Sequence, residues 1–175
     1  RYELTADVTN STASACIAIR SSDVVLEGNG HVITGDRVDQ SVGVQVYRLG
    51  STVSNVTVRD LTVSNWFLGV EIGRSDWYQP HGGAAQASLS DVRATNNAHH
   101  GVFVASGSGS RLSSIVAADN GATGVGVFDS SDLRVGELLA SGNGEHGLAL
   151  FEGVFDGTYT DISTTDNDGA GIFLG

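Results

Sequence analysis

At 175 residues and 40% hydrophobic, the chain fits a single domain, 1–175, long enough to bury a core, which excludes a disordered polymer. Twenty acids face nine bases for a net charge of -11, and every base is arginine. Such a surface repels nucleic-acid phosphates and anionic lipid, and no apolar run approaches the ~20 residues needed to span a bilayer, so neither nucleic acid nor membrane insertion is expected. The acids are scattered along the whole chain and lysine is absent. That pattern predicts a surface kept hydrated in molar salt, where charges are screened within roughly 3 Å, rather than a cation-binding face. Cys16 is the single cysteine, so no internal disulfide can form. The chain opens on Arg1 with no signal peptide, as expected of a processed or excised piece.

In chain order, residues 1–15 alternate Tyr2, Leu4 and Val8 and read as a lead-in strand or cap. Cys16-Ile-Ala-Ile19 then opens a repeat in which glycine precedes alternating apolar residues, at Gly43, Gly69, Gly101, Gly124, Gly147 and Gly171. The steps between openings are 27, 26, 32, 23, 23 and 24 residues. Positions two and four of each tetrapeptide share one face, as in Val102/Val104, Val125/Val127 and Leu148/Leu150, and predict an inward core column. Asn65, Asn97, Asn120, Asn143 and Asn167 each stand four residues before the next glycine and are expected to stack at one corner. A coil of about 23 residues cannot bury its apolar face alone, but stacked coils can. The predicted fold is therefore all-β, a right-handed single-stranded parallel β-helix of six to seven coils, starting near 16, 43, 69, 101, 124, 147 and 171. A leucine-rich-repeat horseshoe is disfavoured because β-branched residues replace its leucine signature. The sequence stops one strand into a new coil at Gly175, an uncapped edge that predicts either a longer protein or subunits stacking end to end into a filament or stalk.

The segments Cys16-Ile-Ala-Ile-Arg-Ser-Ser-Asp-Val-Val-Leu-Glu-Gly-Asn-Gly-His-Val-Ile-Thr-Gly35 and Asn55-Val-Thr-Val-Arg-Asp-Leu-Thr-Val-Ser-Asn65 resemble NosD-like β-helix proteins of the pectin-lyase fold. Many such domains occur in exported haloarchaeal proteins, so the resemblance implies an extracellular or cell-surface location. The family includes carbohydrate-binding proteins, sugar lyases and hydrolases, and plain surface modules. A copper role is not carried over, because the chain has no methionine.

The 32-residue coil from Gly69 carries an insertion, Arg74-Ser-Asp-Trp-Tyr-Gln-Pro-His-Gly-Gly83. There Trp77 and Tyr78 are candidates to stack on sugar rings, with Arg74, Asp76, Gln79 and His81 as polar partners, or else the aromatics fold back over the solenoid side. Tyr78-Gln-Pro-His81 distantly resembles the Asp-Pro-His motif of alginate epimerases and lyases, but glutamine replaces the aspartate and glycine follows the histidine. His99-His100-Gly101 and Glu145-His146-Gly147 invite comparison with the Gly-His-Gly of polygalacturonases, whose paired aspartates are missing. His100, Thr123 and His146 align in one turn column and are expected to be solvent-exposed, the two histidines ~10 Å apart and too distant to share zinc. Asp119, Asp129, Asp132, Asp156, Asp161, Asp166 and Asp168 are read as salt-adapted surface. Calcium at Asp166-Asn-Asp168 has no supporting motif, so no catalytic, metal or cofactor role is assigned. Trp66 and Phe67 are expected to form an apolar patch beside Ala98 and His99, or to pack a corner. Cys16 reads as a tucked structural thiol. Two sequons place candidate glycosylation at Asn10 and Asn55. The expected function is a non-catalytic extracellular module, a rigid surface element or one that contacts a polysaccharide or cell-surface glycan. Filament stacking, or a lyase or epimerase using the 69–100 loop, are the alternatives.

Overall fold

Glycine-led tetrapeptides become rungs of one parallel sheet. In the computed structural model, which describes residues 1–76 and 79–175 with the side chains of 75–82 outside the description, seven short strands stack in order. They are Ala15–Ile19, Val42–Val46, Leu68–Ile72, Val102–Ala105, Val125–Phe128, Leu148–Leu150 and Ile172–Leu174. Val70, Val102, Val125, Leu148 and Ile172 occupy one register position. The first four of these are fully buried, so the file expected from alternation is a core column. The glycines of the opening column from Gly43 to Gly147 each lie under a backbone carbonyl of the next coil: a Cβ on Gly101 would meet Gly124 O at 2.7 Å, and one on Gly124 would meet Gly147 O at 2.7 Å. Side chains are excluded there by the stacking itself.

The second sheet contains the longer strands Thr57–Ser64, Ser88–Thr95, Arg111–Ala118, Arg134–Ser141 and Thr158–Thr165. Each bends at one residue with positive φ: Asp60, Asp91, Ser114, Glu137 and Asp161, at 53–55°. The bend resets the alternation, so that Val58 and Leu61, or Leu89 and Val92, both point inward although three residues apart. In the first two rungs the bend is wider and splits the strand, as Tyr2–Glu3 with Val8–Ser11 and Val25–Glu27 with Val32–Gly35. Residues 1–15 thus supply the long-face strands of the first turn. A short third sheet pairs Val53–Ser54 with Ala84–Ala85, and backbone hydrogen bonds such as Gly109 N to Ser131 O extend it. Among the described residues the architecture is a parallel β-solenoid of seven turns without a helix.

The corners explain much of the acidity. Nine of the fourteen aspartates adopt positive φ, including six of the seven singled out toward the C-terminal end. Aspartate and asparagine are the non-glycine residues that enter this left-handed region most readily. Backbone geometry therefore accounts for an aspartate or asparagine at these positions, though not for the charge.

The asparagine file differs from expectation at its first member. Asn97 donates to Asn120 Oδ1 (3.0 Å), Asn120 to Asn143 Oδ1 (2.9 Å) and Asn143 to Asn167 Oδ1 (2.8 Å). Asn65 lies outside this ladder. The turn leading to Gly69 is one residue shorter than the turn leading to Gly101, so Asn65 falls on the left-handed corner (φ 59°) beside Asn96 and Asp119. Trp66 takes the ladder slot instead, and its backbone amide donates to Asn97 Oδ1 at 3.1 Å. The Trp66 side chain is fully buried and its Nε1 donates to Ile33 O, so it belongs to the core and to no surface patch.

Candidate functional site

Side chains at the third tetrapeptide position point away from the core, and stacking places them in one outward file: Gln45, Glu71, Phe103, Gly126, Ala149 and Phe173. A groove of about 940 Å³ runs along this file, at the upper end of the usual size of a ligand site. From Gln45 to Phe173 it crosses five rung steps, about 24 Å. Its N-terminal half is polar: Gln45 Nε2 donates to Glu71 Oε2 at 2.7 Å, both side chains being buried. Arg74 borders the same half and donates to Tyr47 Oη at 3.2 Å. Its C-terminal half is walled by Phe103, Phe128, Phe151 and Phe173, with Glu152 at the rim.

Gly126 is bare for a reason. A Cβ there would lie 3.1 Å from Phe103 Cδ2 and 3.4 Å from Phe151 Cε2, so both rings come down onto the strand. Imidazoles hold two of the rings in place. His100 stacks on Phe103 (5.1 Å between centroids, 10° between planes) and His146 stacks on Phe173 (4.6 Å, 10°). Phe67 stacks on His99, whose ring meets His100 edge-on at 4.1 Å.

The expectation that His100 and Thr123 are solvent-exposed is overturned. His100 is 8% exposed, its ring stacked on Phe103 and edge-on to His99, Thr123 is fully buried, and His146 is half-buried. Burial, and then the neighbouring His99, push the His100 imidazole down to about 3. Its Nδ1 accepts the Thr123 amide at 3.2 Å, so the neutral ring carries its proton on Nε2, and the residue is one of those lining the groove. His146 repeats the arrangement two coils further along the same column, with Nδ1 accepting the Ala170 amide at 2.9 Å. His99 Nδ1 is buried without a protein partner.

Among the insertion residues, Arg74 alone has a described side chain, and it borders the groove. Arg74–Asp76 pairs antiparallel with Gln79–Gly82, in contrast to the parallel pairing of the stacked sheets. Trp77 and Tyr78 lie outside the described residues, as do the side chains of Asp76, Gln79 and His81. Asn10 and Asn55 are exposed at left-handed corners, and Asn55 Nδ2 donates to Asp23 Oδ1 at 2.7 Å. Cys16 stands opposite Gly43 on the first rung, and burial pushes its thiol up. Among the described residues no three of His, Cys, Asp or Glu gather as a metal-binding group. The N-terminal part of the long face carries a separate ion pair, in which Arg59 grips Glu27 through two contacts of 2.6 Å and holds its carboxyl below the usual range.

Most of the groove escaped the sequence reading because its residues are 23 to 32 positions apart, although Phe67 and His99, expected together in an apolar patch, do stack and line it. The third-position file was legible in the tetrapeptides, but only their inward members were followed.

Residues 42–175 match the family described as the right-handed β-helix region. No curated protein matches the chain. Among solved structures, the chain is similar to the catalytic domain of Agl-KA, with a TM-score of 0.60 and 16% identity over 98% of this chain and 36% of that one. It is also similar to the A-module of the mannuronan C-5 epimerase AlgE4 of Azotobacter vinelandii, with a TM-score of 0.59 and 15% identity over 92% of this chain and 54% of that one. The chain thus spans about a third to about half of the length of these structures, and at such identities the likeness is one of fold.

Proposed function

The chain belongs to the right-handed β-helix family, and on that scaffold we propose that it is a non-catalytic extracellular module that holds a glycan along the groove of the short sheet. One observation carries the reading: the outward file of Phe103, Gly126, Ala149 and Phe173, with Phe151 leaning over it, forms an aromatic floor several rungs long. Sugar rings have apolar C–H faces that stack on aromatic rings, while their hydroxyls need a few fixed polar groups. Gln45, Glu71 and His100 are among the polar residues that line the same groove. Parallel ladders on both sides make the floor rigid, which lowers the ordering cost of binding.

Charge narrows the ligand. Among the described residues, those that border the groove with a formal charge are Glu71, Glu152 and Arg74, on a chain of net charge -11. A polyanion would be repelled, so the glycan is uncharged or basic. In this reading the exposed Asn10 and Asn55 are where attached glycan is expected in an exporting host.

Calorimetric titration against neutral, amine-bearing and uronate oligosaccharides tests the proposal. Binding to a neutral or amine-bearing chain, weakened about tenfold by Phe103→Ala, is the expected result. Absence of binding across the panel would overturn it. Product release from uronate chains, lost on His81→Ala, would favour the lyase or epimerase reading instead.

A further inference from the structure

The two halves of the groove differ in chemistry. Arg74 borders the half that holds Gln45 and Glu71, whereas Phe103, Phe128, Phe151 and Phe173 enclose the other, with Glu152 at its rim. His100 covers one face of Phe103 and His146 one face of Phe173. Each ring is thereby held against an imidazole while lining the groove. Phe151 and Phe173 are 6.1 Å apart and inclined by 49°, so they form a wedge rather than a closed stack. The glycine at 126 lets Phe103 and Phe151 approach across the floor between them.

Aromatic faces carry negative π-density and attract cations, most strongly where water is partly excluded. A carboxylate at the rim adds to that attraction, and the net charge of -11 draws cations toward the surface. We infer that the Phe103–Phe151–Phe173 end of the groove receives a protonated amine on a sugar ring, making the ligand an amino-sugar polymer rather than a neutral one. This inference rests on the groove holding a glycan.

The test compares oligomers of glucosamine, N-acetylglucosamine and glucose, matched in length and linkage, by calorimetry of the intact chain near pH 6. The free-amine oligomer is expected to bind about tenfold more tightly than its acetylated counterpart. That preference should shrink in 1 M salt, and also in Glu152→Gln and Phe151→Leu, with thermal melts checking that both variants fold. Glu152 is exposed, so its replacement leaves packing intact. Equal binding of all three oligomers would overturn the amine specificity and leave the groove as a glycan site. A preference unchanged in both variants would also overturn it. Failure of every oligomer to bind would remove the groove reading and this inference with it.

Discussion

His100 ties the turn to the groove: its ring lies against Phe103, its Nδ1 holds the Thr123 amide, and the residue lines the groove. Its folded value of about 3 is far below the ordinary 6.5. Above pH 6.5 the ring is neutral in both states and costs nothing. As pH falls below that, the unfolded chain takes up a proton that the folded chain refuses. Stability should therefore drop toward pH 4 with a slope of up to about 1.4 kcal/mol per pH unit. The window from 6.5 to 4.5 precedes most carboxylate titration. Chemical denaturation across it should give a flatter profile for His100→Gln than for the parent chain. Identical slopes would mean that His100 takes up its proton without unfolding.

At the scale of the rung, the asparagine ladder and the left-handed corners have different requirements. Asn120 Oδ1 accepts from both the backbone and side-chain nitrogens of Asn97, while its own Nδ2 reaches Ala94 O and Asn143 Oδ1. Asn120→Ala leaves several buried polar groups without partners and should cost about 2–4 kcal/mol by urea denaturation. Asn65, at φ 59° and outside the ladder, should tolerate Asn65→Gly within about 1 kcal/mol. Similar losses at both positions would return Asn65 to the ladder. This contrast marks how far the sequence could be read. Glycine spacing and even-position alternation were enough to stack the rungs, because both follow from backbone contacts between adjacent coils. The one-residue contraction at Asn65–Gly69 was hidden, because spacing to the glycine was the same for Asn65 as for the true ladder members. The bends at Asp60 and Asp91 were hidden as well, since φ has no periodic signature. The groove was the least legible part, because Phe103, Phe151 and Phe173 meet only after the chain has wound through several turns. The stretch the sequence favoured as a site, Arg74 to Gly83, drew attention because its aromatics are contiguous.

For the molecule as a whole, the charge of -11 has two sources that can be separated. Corner geometry asks for aspartate or asparagine but not for a charge, so Asp132→Asn, Asp156→Asn and Asp161→Asn together should preserve the fold. Self-repulsion in dilute buffer should fall, raising the melting temperature by a few degrees, and the gain should vanish in molar salt. An equal gain at all salt concentrations would indicate a local packing effect, and no gain would remove self-repulsion as a factor. On the proposed reading, the same acidity would steer uronates away from the surface and leave the outward face of the short sheet to uncharged or basic chains. The claim on which the functional account depends is that this face, and not the antiparallel pair at 74–82, meets the ligand. Backbone amide shifts of isotopically labelled protein titrated with an amino-sugar oligomer test it directly. The account predicts perturbations running along Glu71, Phe103, Gly126, Ala149 and Phe173, with the long face unchanged. Shifts confined to residues 74–83, or scattered over the long face, would contradict it.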